Sequence, residues 1–418
     1  MEKNITGLTD LFSKSIGIEE PWYIRSVETH ENEVHIYVDV REGNMLPCPV
    51  CGEKCIRSGY EKGERVWRHG DCLYYPCYVH CRRPRIVCKE HKIKVVEAPW
   101  ARKNSRFTLM FEGYAMLLLA DMPRAKAAKI LRCNEKSLVN MLHYWVSDAV
   151  GKDDLSKVRH ISVDETSYKK GQSYVTIITD GKARRVIDVE EGRDSKTIDS
   201  FSKKLTEKGG DGAKIRTFSA DLSAAYKMGM EENFPYAKLV ADKFHVKKLA
   251  LDAMDEVRRE EQKQFAKSRA SGKHLLMIPE SRQSDDGKKK LIELFKQYPK
   301  TGRAYRMVQA LDEVYRCQSE QEAKSMMKRL ISWMKKSRLQ PMIKAAHTFQ
   351  NRLEDILAYF ISRVTNAIAE GLNSMIQAAK RKARGYRTYD GFSSMIYLIA
   401  AKLQLACPNP LRNWEWSR

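Results

Sequence analysis

HISVDETSY (160–168), SYVTIITD (173–180) and RRVIDVEE (184–191) are three consecutive strand-type runs separated by turn signals, and they predict an antiparallel meander. TIDSFSKKLTEKG (197–209) reads as a helix. IRTFSAD (215–221), SAAYKMGMEENF (223–234) and AKLVAD (237–242) continue as strand, helix and strand, a βαβ-type unit. A helix returning to this sheet is expected within residues 350–384. The stretch 251–349 is mostly of helical pattern. Within it SRQSDDGKKK (281–290) reads as an exposed loop and Trp333 as a core residue.

Aspartate is disfavoured inside strands, so its presence in these runs wants a reason. Asp164 lies in the first run and Asp221 ends the fourth, while Glu370 lies in the helix-like TNAIAEGLNSM (365–375). Two strand carboxylates and one helix carboxylate are the hard oxygen ligands that two magnesium (or manganese) ions need. Such a pair, about 3.5–4 Å apart, clamps the attacking and leaving oxygens of a phosphodiester displacement. For Asp221 a capping role stays open, because Asp-Leu-Ser opens a helix. Asp242 and His245 close the last strand, where a histidine suits proton transfer, a flanking phosphate or a structural hydrogen bond. Asn366, Glu370, Asn373 and Gln377 recur at helical spacing as one polar stripe, which Arg381 and Arg384 extend and Lys380, Lys382 and Arg387 thicken. Amides and guanidinium groups beside a carboxylate suit a metal next to a phosphate backbone.

The composition agrees with a polyanionic partner: 75 Lys+Arg against 53 Asp+Glu give a net charge of +22 and a pI near 9.5 in 418 residues. The longest apolar stretch, AMLLLA (115–120), is far short of a membrane span, and the first residues lack a signal-peptide core. A cytoplasmic setting is therefore expected, with the protein on the nucleoid when bound to DNA. In a reducing compartment the clustering of cysteines between Cys48 and Cys88 points to metal rather than to disulfides. Cys48-Pro-Val-Cys51-Gly and Cys88-Lys-Glu-His91 each have two intervening residues, which suits one tetrahedral structural zinc. The strands between, carrying Trp67, Tyr74, Tyr75 and Tyr78, would form a ribbon joining the two knuckles. Cys55, Cys72, Cys77 and Cys81 read as small core residues, and Arg82, Arg83 and Arg85 as charge either offered to phosphate or simply solvated.

Residues 123–147 have the pattern of a helix-turn-helix. Pro123 starts the first helix and Asn134 caps the second, with Arg132-Cys133-Asn134 as a turn that lacks glycine. Arg124, Lys126, Lys129, Arg132 and Lys136 are placed to reach phosphates; Lys136, Ser137 and Asn140, early in the second helix, could face base edges.

Taken in order, CPVCG with the later CKEH, SVDETS, SADLSAAY, VADKFHVKKL and TNAIAEGLNSMIQAAKRKARGYRTYDGF resemble the bacterial insertion-sequence transposases of the ISL3 family over nearly the whole chain. The resemblance implies a multidomain α+β protein: an N-terminal strand segment (1–45), a β-rich zinc finger (46–100), a helix-turn-helix domain (101–150) and a ribonuclease-H-like α/β core (158–250 and 350–418) interrupted by an all-α insertion (251–349). It implies Asp164, Asp221 and Glu370 as a DDE triad, with Asp242 and His245 matching an Asp/Cys–His pair of related enzymes; from the polar stripe, Asn366 and Asn373 are expected to assist. It further implies binding to double-stranded DNA at terminal inverted repeats, a homodimer on DNA, and cleavage that frees a 3′-hydroxyl to attack target DNA. Two other classes share these features: a non-catalytic regulator descended from such an enzyme, and a ribonuclease-H-like nuclease without strand transfer.

Overall fold

The computed structural model describes residues 5–169, 173–221, 223–263, 273–362 and 367–408. The chain divides into two compact units, residues 1–152 with 378–418, and residues 153–377.

The first unit begins with α1 (Ile5–Ile16), β1 (Trp22–His30) and β2 (Glu33–Val40). The Cys-rich block follows as β3 (Leu46–Pro47), β4 (Lys54–Tyr60), β5 (Arg65–Cys72), β6 (Tyr75–Cys81), β7 (Pro84–Cys88) and β8 (Lys92–Val95). These strands make two sheets, ordered β1-β2-β6-β5 and β3-β4-β7-β8. The ribbon expected between the knuckles is thus split: β5 and β6 leave the strands that carry the knuckles, and β6 pairs in parallel with β2. The alternation of Val34, Ile36, Val38 and Val40 explains this, because it buries one full face of β2 and needs a partner. Trp67 and Trp22 close the core by meeting Trp100 edge-on, with ring centroids 5.6 and 5.1 Å away. Cys77 and Cys81 are buried here as small apolar groups.

Three helices complete the amino-terminal part: α2 (Leu109–Asp121), α3 (Arg124–Leu131) and α4 (Glu135–Gly151). Asn134 caps α4 by accepting from the Ser137 amide at 2.7 Å. The glycine missing from the turn is replaced by Arg132, which adopts the left-handed conformation at φ 49°. Glu112 is fully buried and takes hydrogen bonds from Arg102, Ser105 and Trp145, so one carboxylate ties the incoming chain to α2 and α4.

The second unit carries β9 (His160–Ser167), β10 (Tyr174–Asp180), β11 (Arg185–Glu191), α5 (Ser195–Glu207), β12 (Thr217–Ala220), α6 (Ala224–Asn233) and β13 (Lys238–Ala241). Its sheet order is β11-β10-β9-β12-β13. The three meander strands are antiparallel, and β12 joins β9 and β13 in parallel, in the order expected of a ribonuclease-H-like sheet. Phe201, Phe218 and Phe234 fill the space between this sheet and its helices.

A helical array follows: α7 (Lys243–Lys263), α8 (Lys273–Met277), α9 (Asp285–Gln297), α10 (Pro299–Val314), α11 (Glu320–Lys335), α12 (Gln340–Asn351) and α13 (Leu353–Ser362). The loop expected at 281–290 is helical from Asp285, because Ser284 accepts from Gly287 N and Asp285 and Asp286 favour the positive helix start. Trp333 is 40% exposed rather than part of the core, since the buried face of α11 is filled by Met327, Leu330, Ile331 and Met334. The chain closes with α14 (Ala367–Lys382) and α15 (Tyr389–Ala400). Arg384 therefore lies beyond the helix stripe, in a left-handed turn at φ 58° where Gly385 N bonds back to Lys380 O.

Candidate active site and metal centre

Strand register builds the acidic site. In the parallel pair, Thr217 faces His160 and Ser219 faces Ser162, an offset of 57 residues that also separates Asp221 from Asp164. Between β12 and β13, Ala220 faces Ala241, an offset of 21 that also separates Asp242 from Asp221. Continued register thus sets Asp164, Asp221 and Asp242 in one row across three neighbouring strands, which lie about 4.8 Å apart. Ile177 on β10 is the partner of Asp164 on its other side.

Helix α14 meets β9 at two points. The Asn373 amide donates to Asp164, and Gln377 Nε2 donates to Thr166 Oγ1 at 2.6 Å. The match is geometric: two residues along a strand advance about 6.6 Å and four along a helix about 6 Å. Both contacts therefore line one strand face and one helix face. Glu370 is exposed one turn before Asn373 on the same helix. Asn366 lies outside the described residues. Thr166 was not singled out in the sequence, although its place two residues after Asp164 gives it the same face.

The row's electrostatics follow from crowding. Burial above all, then the charges of Asp242 and Asp221, push the Asp164 carboxyl up to about 6. His245 is raised first by its hydrogen bond to Asp242, 2.8 Å from Nδ1 to Oδ2, and further by Asp242, Asp164 and Asp221 charges. Burial lowers Lys243, at the start of α7, while Asp312 and Glu370 oppose that shift. Lys243 also lies over the rings of Tyr315 and Tyr359, at 4.9 and 5.8 Å. Asp221 does not cap α6, whose N-cap position is Ser223; its Oδ1 accepts from Ser223 N at 2.8 Å, an Asx-type turn leading into the helix. Its Oδ2 has no such duty among the described contacts. Among the described residues, the donor groups drawn to within 4.8 Å of one another are cysteine-containing, and the three acids do not form such a group.

The sulfur site has a different geometry. Cys48, Cys51, Cys88 and His91 bring their donor atoms together. Cys51 Sγ lies 3.7 Å from Cys88 Sγ, and His91 Nδ1 lies 3.8 Å from Cys48 Sγ and 3.5 Å from Cys88 Sγ. A tetrahedron with zinc's bond lengths has edges of about 3.8 Å between sulfurs and about 3.6 Å from sulfur to nitrogen. The donors present thus fit an ion of that size. Cys55, read as a core residue, is buried but also forms a close group with Glu53 and Cys88.

On the helix pair, Lys126, Lys129, Lys136 and Asn140 are exposed and Ser137 is half-buried. Arg124 instead pairs with Glu135 at 2.7 Å, and Arg132 donates to Tyr74 O at 3.0 Å. The charge offered by Arg83 is committed internally: it bridges Glu61 and Glu97 at 2.7 and 2.9 Å. Arg82 lies over the Tyr60 ring. Arg381 and Arg384 are exposed and Lys380 is half-buried. No described helix is long and apolar enough to cross a membrane.

Residues 161–396 match a family model described as a transposase, of the DDE class within ISL3, and residues 96–146 match the helix-turn-helix domain of transposase family ISL3. The transposase for insertion sequence element IS1557 of Mycobacterium tuberculosis (strain H37Rv) is 24% identical, over 94% of this chain and 95% of the relative. The transposase for IS1001 of Bordetella parapertussis is also 24% identical, over 91% and 95%. Among solved structures, the strand transfer complex of Drosophila P element transposase overlaps with a TM-score of 0.40 at 13% identity, covering 71% of this chain and 92% of that one. With the first family model spanning more than half of its length, the chain belongs to the ISL3 family of transposases.

Proposed function

We propose that this protein binds the terminal inverted repeats of an insertion sequence and catalyses cleavage and strand transfer of DNA at the Asp164–Asp221–Glu370 site. The observation that carries this reading is the register row of Asp164 and Asp221, met by α14 through Asn373 one turn from Glu370. Asp164, Asp221 and Glu370 would hold two magnesium or manganese ions; when bound, these supply a hydroxide-like water and charge stabilisation for the leaving oxygen. The protein's own groups set the geometry. Asn373 orients Asp164 and Thr166 fixes the helix behind it through Gln377. Asp242 holds His245 by one ring nitrogen, leaving the other to hold a flanking phosphate or take a proton.

Recognition belongs in this reading to residues 46–150 and chemistry to 158–250 with 350–418, around a helical insertion at 251–349. Zinc held by Cys48, Cys51, Cys88 and His91 would fix the finger. Lys126, Lys129 and Lys136 would contact phosphates and Ser137 and Asn140 base edges, so that backbone contacts position and base contacts specify. A homodimer bridging two ends is the assembly the chemistry requires, since two ends join one target.

Incubation with candidate element ends, magnesium and a plasmid target tests the reading. Covalently joined end–plasmid products support it. Nicking without joining identifies a nuclease, and binding without either identifies a regulator.

A further inference from the structure

We infer that Arg352 is a positioning residue for Asp221, through which the junction of α12 and α13 sets the orientation of one acid of the site. The inference rests on the reading above that Asp221 holds a metal ion.

Arg352 is the single residue between α12 and α13. It is largely buried, 11% exposed at its side chain. Its Nη2 donates to the Ser223 carbonyl at 3.1 Å. The amide of the same Ser223 donates to Asp221 Oδ1 at 2.8 Å. One residue thus relays between the guanidinium and the carboxylate: its oxygen is held by Arg352 and its nitrogen holds the aspartate. The other arm, Arg352 Nη1, lies 3.1 Å from Asp355 Oδ2. Lys227, on the helix that Ser223 caps, lies 3.7 Å from that same oxygen. Asp355 Oδ2 thus sits between two cations, Arg352 on its own segment and Lys227 on α6, as ion pairs without a hydrogen bond. Burial raises its carboxyl, and the charges of Arg352 and Lys227 oppose the rise.

The arrangement explains why an arginine is needed. A planar guanidinium serves two acceptors in fixed directions, whereas a lysine is a single flexible point charge. The second aspartate-bearing turn is gripped in a similar way, by Lys243 over Tyr315 and Tyr359 and by Lys247 paired with Asp312 at 2.7 Å. Asp164, by contrast, is held by strand pairing and by α14. Asp221 ends its strand and continues into a turn, so an external support has the most effect there.

The test uses the full-length protein with element-end DNA and compares Arg352→Gln, Arg352→Lys, Asp355→Asn and Asp221→Asn. Manganese binding in the protein–DNA complex is read from the loss of the free-ion EPR signal, and joining is titrated with magnesium. Loss of one charge-assisted hydrogen bond should weaken manganese binding roughly tenfold in Arg352→Gln. Magnesium for half-maximal joining should rise in parallel, with end affinity and KM for the end unchanged and the lost rate recovered at high metal. Arg352→Lys should recover part of the loss, and Asp355→Asn should shift the curve less, in the same direction. If Arg352→Gln unfolds, Asp355→Asn decides. Wild-type metal curves in the folded variants, with Asp221→Asn inactive, overturn the inference alone. An active Asp221→Asn overturns the reading of Asp221 on which it rests.

Discussion

The two candidate metal sites are assembled in opposite ways. Each half of the cysteine–histidine site is a short turn, Cys48 to Cys51 and Cys88 to His91, and its donors already stand at tetrahedral edges. The acidic site draws on positions 57 and 149 residues apart and takes its shape from strand register and from one helix laid against β9. With zinc bound, the first would be a rigid cage whose worth lies in folding. The second keeps its carboxylates apart, and burial first, then the charges of Asp242 and Asp221, raise Asp164. Structural sites are closed, whereas catalytic ones keep open positions.

Removing the cage should have the larger effect on fold. Binding free energy at a structural zinc is folding free energy, on the order of 10 kcal/mol. Chelation, or Cys48→Ser with Cys88→Ser, should unfold the first sheet pair and abolish specific end binding. Circular dichroism and metal analysis check this. Retention of stoichiometric zinc in the double variant would shift the site toward Cys55.

Replacing Arg381 and Arg384 together by alanine should act in between. If both neutralise phosphates, the slope of log affinity against log salt becomes shallower by about 1.8, with similar loss on unrelated sequences. Loss confined to one terminal sequence, with an unchanged slope, would make them base readers.

The smallest effect sharpens the contrast most. Asp164→Asn should stabilise the metal-free protein while destroying joining. A folded pKa of about 6 lies above the value in an unfolded chain. The folded state therefore binds the extra proton between those values, and its stability falls as pH rises through that window. At pH 8 the full cost is present, and asparagine removes it, a gain of about 3 kcal/mol at most by thermal melting. Below about pH 4 the variant and wild type should melt together. A variant that melts lower at pH 8 would mean that the carboxylate is structural.

Much of this was legible before the fold was known. The meander and βαβ order followed from turn-bounded apolar runs, because period and punctuation are local. Asp164 and Asp221 stand out in the sequence because aspartate is disfavoured in strand-type runs. The misses were non-local or a matter of capping. The partnership of β2 with β6 depends on which buried face finds another. The helix from Asp285 hid in a polar run because Ser284 and two acids stabilise its start. The capping geometry of Arg384 ended α14 before the stripe did. Arg352 carried no sequence signal, since its role comes from a contact 129 residues away.

The most direct test of the account is end joining by Asp164→Asn, Asp221→Asn and Glu370→Gln, measured beside end binding on the same preparations. Each variant keeps the shape and removes a ligating charge. The account predicts that each binds ends within about twofold of wild type and yields joined product reduced at least about 1,000-fold, the scale of losing several kcal/mol of transition-state stabilisation. Joining near the wild-type level by any of the three would contradict it.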